Sequence, residues 1–271
     1  MFFLHSDVGF SLLQVFFARL ILADMNMELK GLRCIISGAG KIAMHVLEKL
    51  FSCGAIPITI SADSKGYSLD EDGFDYVKLS FLRDIKVQQK SLRDYLKSNP
   101  RAKYFEGAKP WSEQCDIAFP CASQNEIDQP DAVALINSGC RILIEGSSMP
   151  CTLQAFDVLR KANILVASAK AASAGGVAVG ELELGHECNL MQWSAEDFEA
   201  KLQEMMKQIH EKSLKAASEY GCMKDSPESR MRVNHGSRVK QPLLLYREYM
   251  ALKMQPHVYI ACKQHGSGFH P

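Results

Sequence analysis

A surplus of charge of either sign is missing from this sequence. Thirty-one lysines and arginines balance 31 aspartates and glutamates over 271 residues, so nothing points to nucleic acid or to an anionic membrane surface as a partner. Paired cysteine motifs are missing as well. The nine cysteines are odd in number and never spaced C-x-x-C, which argues against a disulfide framework or a zinc site. A reducing compartment is expected, and with it a cytoplasmic location. No metal is expected: His186 and Cys188 form an isolated pair that reads as a helix surface. Internal repeats and low-complexity tracts are absent. So is a clean spanning segment, because the apolar stretch Met1–Ala23 is interrupted by Asp7 and Arg19. It also lacks a basic start and a small-residue cleavage site, so a secretory signal is disfavoured; a weak targeting signal stays as the alternative. The spacing of Leu13, Phe16, Phe17, Leu20 and Ile21 predicts an amphipathic or buried helix over Leu13–Met25.

What is present centres on Leu32–Cys53, LRCIISGAGKIAMHVLEKLFSC. Arg33 to Ser37 is a short apolar run ending in a small polar residue, the pattern of a buried strand. Gly38, Ala39, Gly40, Lys41, Ile42 and Ala43 then give the G-x-G-x-x-A form of the dinucleotide fingerprint. Ile42, Val46, Leu47 and Leu50 follow at helical spacing. Each small residue has its own reason. Gly38 permits the tight turn, Gly40 lets a diphosphate approach the backbone, and Ala43 lets helix and strand pack closely. The phosphates would lie on N–H groups at the helix start, where the macrodipole favours negative charge. A second strand is expected over Ala55–Ser61, ending at Asp63, the position of an acid that reads a ribose hydroxyl. The plainer alternative is a glycine turn of any α/β protein, with Asp63 a solvated loop acid.

Further along, Ser64–Asp72 reads as a loop, Glu71–Asp84 as a helix, Lys86–Tyr95 as a charged surface helix and Asn99–Pro110 as a loop. Asp116–Pro120, Arg141–Glu145 and Ile164–Ala167 read as buried strands. Asp131–Ser138 and Thr152–Lys161 read as the helices between them. Strands alternating with helices at this spacing predict an α/β fold, a Rossmann-like doubly wound parallel sheet with helices on both faces. Ligands of such sheets bind beyond the carboxyl ends of the strands. There the sequence places PCASQNE (Pro120–Glu126), EGSSMP (Glu145–Pro150) and AKAASAGG (Ala169–Gly176). Gln124 and Asn125 offer carboxamides that suit a nicotinamide amide or ribose, or else a polar loop with a helix cap. A helix is expected from Gly176 through Asn189. Ser194–Tyr220 is a long amphipathic helix with Phe198, Leu202, Met205, Met206, Ile209 and Leu214 on one side. The domain division expected is an apolar helical segment over 1–31, a nucleotide-binding domain over 32–190, the long helix over 191–221, and a divergent, poorly ordered tail over 222–271.

The succession SGAGKIA, SADSKGY, EGAKPW, CDIAFPCASQNE, GCRILIEGSSMP and AKAASAGGVAVGELEL resembles the coenzyme domain of the glutamate dehydrogenase family, the Glu/Leu/Phe/Val dehydrogenases. The resemblance runs from about Val15 to about Tyr220 and is strongest to the NADP-dependent, plant-like form. It implies an oxidoreductase that converts L-glutamate, water and NADP to 2-oxoglutarate, ammonia and NADPH. Carried over, Gly38, Gly40, Lys41, Ile42 and Ala43 match the diphosphate turn, and Asp63 and Ser64 the adenosine-ribose loop. Lys86 matches a basic position that faces the ribose 2′-phosphate. Ala122, Gln124, Asn125 and Ser148 match loops near the nicotinamide half. A carboxylate alone would repel a 2′-phosphate, whereas Ser64 with Lys65 or Lys86 suits one; NADP is therefore expected, with NAD as the alternative.

Three positions depart from the family's pattern. Ser148 and Ser173 stand where it usually has Asn, and Gly180 where it has a Ser that holds the substrate's side-chain carboxylate. No lysine in the family's K-G-G setting is found, nor the proton-transfer aspartate, so no catalytic residue is assigned. The chain is read as the coenzyme-binding portion, with glutamate or 2-oxoglutarate bound only together with a substrate domain. It is expected to bind nucleotide and to be inactive alone. A homo-oligomer is left open. The competing readings are a non-catalytic nucleotide-binding or interaction module, pairing through Phe16, Phe17 and Leu20, and a related amino-acid dehydrogenase.

Overall fold

The computed structural model describes residues 6–61, 65–172 and 195–219. Asp63, Ser64, Ser173, Gly180, the His186/Cys188 pair, the helix expected over 176–189 and the tail over 222–271 lie outside the described residues.

Five short strands make a parallel sheet: β1 (Arg33–Ser37), β2 (Ile56–Pro57), β6 (Ile117–Pro120), β7 (Ile142–Ile144) and β8 (Leu165–Ala167). Their order is β2-β1-β6-β7-β8. Each strand alternates between two cores. Cys34, Ile36, Ile117, Phe119, Ile142 and Ile144 face one. Ile35, Ala118, Leu143 and Val166 face the other. Both faces are buried, as the continuous apolar runs require of a parallel sheet. The first core is closed by α1 (Ser6–Asp24), α2 (Lys41–Ser52), α3 (Tyr76–Val87) and α7 (Ala195–Glu219). The second is closed by α4 (Gln129–Asn137) and α5 (Leu153–Lys161). The chain is thus α/β and doubly wound. The β1–α2–β2 crossover runs toward one edge and β6–α4–β7–α5–β8 toward the other. The direction of winding reverses between β1 and β6, where such sheets take their ligands.

The expected strand over Ala55–Ser61 divides. Only β2 pairs with β1, through Arg33 with Ile56 and Cys34 with Pro57. The chain then turns away, and β3 (Thr59–Ser61) joins β4 (Gly66–Leu69) and β5 (Lys103–Glu106) in a separate antiparallel sheet. The buried Thr59 hydroxyl takes over the missing ladder bonds on β1: it accepts from the Ile36 N–H at 2.9 Å and donates to the Ile36 carbonyl at 3.1 Å. The loops expected over Ser64–Asp72 and Asn99–Pro110 are corrected accordingly, since each holds a four-residue strand. Gly66 belongs there because a Cβ would sit 2.2 Å from the Phe105 carbonyl oxygen on β5. Buried Asp70 fixes this sheet to its surroundings, accepting from the Tyr95 hydroxyl and pairing with Lys78 Nζ, both at 2.8 Å.

Three helix expectations also move. The helix expected over Glu71–Asp84 starts later, because Gly73 at φ +81° breaks the chain and Asp75 caps Lys78 N–H. Lys86 lies in its last turn, and the surface helix expected over Lys86–Tyr95 is replaced by a 3-10 segment, Leu92–Lys97. The helix α4 begins at Gln129 with Asp128 as cap and Pro130 inside the first turn, where a missing N–H costs nothing.

The helix α1 is apolar nearly all round, and Leu13, Val15, Phe16, Phe17, Ala18, Ile21 and Leu22 are all buried. Such a helix has to be interior. It packs on α2 and α7, with Lys49 Nζ over the Phe16 ring at 5.2 Å. The expectation of an uncovered apolar face at Phe16 and Phe17 is therefore corrected: both are within 3 % of full burial. The α7 stripe Phe198, Leu202, Met205, Met206 and Ile209 supplies the cover. Among the described residues no helix is long and apolar enough to cross a membrane.

Candidate nucleotide site

The site is built from the turns that leave β1, β6 and β7. Ser37 ends β1 buried, and Gly38 follows at φ +85°. This is left-handed backbone that glycine alone adopts at little cost. A Cβ on Gly38 would lie 2.9 Å from the Cys121 carbonyl oxygen and 3.1 Å from Ala122 Cα. The two turns at the switch point therefore touch backbone to backbone. The Gly38 N–H donates to the buried Ser61 hydroxyl at 2.7 Å, and Ser61 N–H returns to the Gly38 carbonyl at 3.2 Å. The first turn is thus locked from both sides.

Gly40 caps α2 in extended conformation and brings no side-chain acceptor to it. A helix cannot satisfy the N–H groups of its first turn internally. No acidic side chain stands in that turn, and a Cβ on Gly40 would meet nothing within 4 Å. The first turn of α2 thus brings neither a side chain at Gly40 nor an acid of its own to its positive end, which suits a diphosphate. Lys41 is exposed and Ile42 half-buried at the rim, while Ala43 is fully buried under the turn.

The β6 turn, Cys121–Glu126, folds back on itself. Glu126 Oε1 accepts the N–H groups of Ala122 at 3.1 Å and Ser123 at 3.3 Å. Ser37 lies beside this carboxylate and favours its charged form, while Ser37 Oγ accepts the Cys121 N–H at 2.9 Å. Burial pushes the Glu126 carboxyl up, against the lowering pull of Ser37, the two N–H groups and Lys109. Burial, then the Glu126 charge, pushes the Cys121 thiol up. Ala122 is half-buried, and Gln124 and Asn125 are exposed on the turn. Asn125 sits at φ +55°, a conformation Asn tolerates better than most.

The β7 turn lies alongside. Asn125 N–H donates to the Met149 carbonyl at 3.0 Å, and the Ser147 hydroxyl to the Ser123 carbonyl at 3.2 Å. Ser148 is exposed on this turn. Gly146 is enclosed: a Cβ there would lie 2.4 Å from Cys121 Sγ and 2.9 Å from Gln14 Oε1. Gln14 is a fully buried amide on α1 that donates to the Gly146 carbonyl at 3.1 Å and receives the Cys121 thiol at 3.8 Å. In this way α1 reaches the floor of the site.

Of the residues expected from sequence, Gly38, Gly40, Lys41, Ile42, Ala43, Ala122, Gln124, Asn125 and Ser148 thus line adjoining turns at one end of the sheet. Lys86 is exposed at the end of α3. The helix α3 runs beside α2, tied by Arg83 to Glu48 at 2.7 Å and by the edge contact of Tyr76 with Phe51. These contacts run α3 antiparallel to α2, from Phe51 at Tyr76 to Glu48 at Arg83. Residues not singled out from sequence are Ser37, Ser61, Gln14, Gly146 and Glu126. Ser37 carried a signal, as a polar residue ending an apolar strand just before a glycine. Gln14, more than 100 positions from its partners, carried none.

A family profile described as Glutamate/Leucine/Phenylalanine/Valine dehydrogenase matches residues 9–235. The glutamate dehydrogenase of Bacteroides thetaiotaomicron is 41% identical over 212 residues, 78% of this chain and 46% of that protein. The NADP-specific glutamate dehydrogenase of Chlorella sorokiniana is 40% identical over 209 residues, 76% of this chain and 40% of that protein. The solved structure of Plasmodium falciparum glutamate dehydrogenase 2 is 36% identical and superposes with a TM-score of 0.78, covering 92% of this chain and 52% of that one. The chain spans about half the length of the relatives it matches.

Proposed function

The chain belongs to the glutamate/leucine/phenylalanine/valine dehydrogenase family, and on that footing we propose that it forms the coenzyme-binding portion of an NADP-dependent glutamate dehydrogenase. The reaction assigned is L-glutamate, water and NADP to 2-oxoglutarate, ammonia and NADPH. The observation that carries the reading is the junction of β1, α2 and β6. Gly38 is held against the Cys121 backbone, while Gly40 leaves open space over the start of α2.

In this reading Gly38, Gly40, Lys41, Ile42 and Ala43 hold the diphosphate. Asp63 and Ser64 take the adenosine ribose, and Lys86 meets the 2′-phosphate. Ala122, Gln124, Asn125 and Ser148 orient the nicotinamide half. The nicotinamide supplies the acceptor for a hydride from the amino acid's α-carbon when bound. These residues bind and aim it; none of them is assigned the proton transfer, which contributes about 10²–10⁴-fold. Relatives carrying NADP-specific in their names support the choice of NADP. A cytoplasmic location suits the six free thiols among the described residues. A homo-oligomer is part of the proposal, with no interface assigned.

Fluorescence titration tests the reading. NADPH should saturate the chain and bind more tightly than NADH. Lys86→Ala should reduce that preference roughly tenfold, the worth of one charge-assisted hydrogen bond at the surface. Binding of neither nucleotide would overturn the site. Sustained glutamate oxidation by these 271 residues alone would overturn the assignment to the coenzyme portion only.

A further inference from the structure

The Glu126 carboxylate sits where the two turns at the switch point meet, beside the Ser37 hydroxyl that holds the Cys121 N–H. On its own turn it gathers the N–H groups of Ala122 and Ser123. Toward β1 it lies beside Ser37, the residue before the glycine turn, whose hydroxyl lowers the Glu126 carboxyl and whose oxygen accepts the Cys121 N–H at 2.9 Å. The backbone of Glu126 is held separately, its carbonyl accepting from Lys109 Nζ at 2.8 Å, and Lys109 pairs with Asp131 at 2.5 Å. The side chain is therefore not needed to anchor residue 126. What it fixes is the path of Ala122 and Ser123, and through them the place of Gln124 and Asn125. Hydrogen bonds to a charged group are the stronger ones, and a turn whose Ala122 and Ser123 N–H groups share one carboxylate has little freedom.

We propose that Glu126 is a positioning residue that sets the nicotinamide-side turn in fixed register with the diphosphate turn. A dinucleotide spans both turns, so its affinity depends on their relative placement. A ligand that occupies only the adenosine side does not. The inference rests on the nucleotide-binding reading above and concerns a residue to which that reading gives no role. Burying a carboxylate against the usual preference for water is the cost of this arrangement, and the raised carboxyl of Glu126 reflects it.

The experiment compares the full chain with its Glu126 variants by titration with NADPH and with its adenosine half, 2′,5′-ADP. Glu126→Ala should weaken NADPH roughly tenfold, equivalent to the loss of one charge-assisted bond, and leave 2′,5′-ADP within about a factor of two. Glu126→Gln keeps an oxygen for the Ala122 and Ser123 N–H groups, and it should restore NADPH to within about threefold of the parent. Should Glu126→Ala fail to fold, Glu126→Asp carries the test: its shorter carboxylate cannot hold both turns, and NADPH alone should weaken. Equal loss of both ligands would mean a general structural role and overturn the proposal, as would unchanged NADPH binding. A parent chain that binds NADH and 5′-ADP instead overturns the NADP assignment, and the same comparison then runs with that pair. A parent chain that binds no nucleotide overturns the underlying reading and this one with it.

Discussion

Gly38 and Gly40 stand two residues apart and do different work. At Gly38 the backbone is left-handed and the Cys121 carbonyl oxygen lies 2.9 Å from where a Cβ would be. Gly38→Ala pays about 1–2 kcal/mol for the conformation and a similar amount for displacing backbone that has nowhere to go. It should lower the unfolding free energy in a urea titration by about 2–4 kcal/mol. At Gly40 the backbone is extended and a Cβ meets nothing. Gly40→Ala should change stability by less than about 0.5 kcal/mol, while NADPH binding falls at least tenfold as the methyl fills the space over the helix start. A Gly40→Ala protein with intact affinity would place the diphosphate elsewhere. The G-x-G spacing marked both residues alike; only their surroundings separate the turn-former from the ligand-facing one.

At the scale of elements, α7 decides how α1 is held. Leu202 and Met206 on α7 are fully buried, and the helix they cover, α1, is apolar nearly all round. Two polar contacts frame the seam: Lys49 Nζ with Glu199 at 2.6 Å, and His210 Nε2 with Asp24 at 3.0 Å. A partly exposed ion pair such as Lys49–Glu199 contributes little, so the apolar stripe carries the docking. Leu202→Ala should destabilise the chain by about 2–5 kcal/mol, read as a shift of the denaturation midpoint. Loss of the Lys49–Glu199 pair through Glu199→Gln should cost under about 1 kcal/mol. Because Gln14 of α1 reaches Gly146 and Cys121, loosening α1 reaches the floor of the site as well. The helical period of α7 was legible in sequence, since one stripe recurs from Phe198 to Leu214, over about four to five turns. Which helix it would cover was not, because periodicity names a face and not its partner.

For the molecule as a whole, ligand binding and stability are linked. Anything that binds only the folded chain stabilises it, by about 2.7 kcal/mol at a hundredfold excess over Kd. For a domain of this size that corresponds to a rise in Tm of roughly 5–10 °C. NADPH should produce it in a thermal melt, and NADH at the same concentration should produce less; equal shifts would remove the case for a 2′-phosphate contact. Local pattern alone determined the parallel sheet, its flanking helices and the glycine turn, because strand and helix periods and φ > 0 residues are properties of a few adjacent residues. The antiparallel sheet of β3, β4 and β5 was hidden, since four-residue strands such as Lys103–Glu106 are too short and too exposed to leave a period. Tertiary structure alone decided that α1 is buried rather than free, and that Glu126, Ser37 and Gln14 meet at the switch point. Those meetings join residues 84 to 132 positions apart, and only the winding of the sheet brings such distant stretches of chain together.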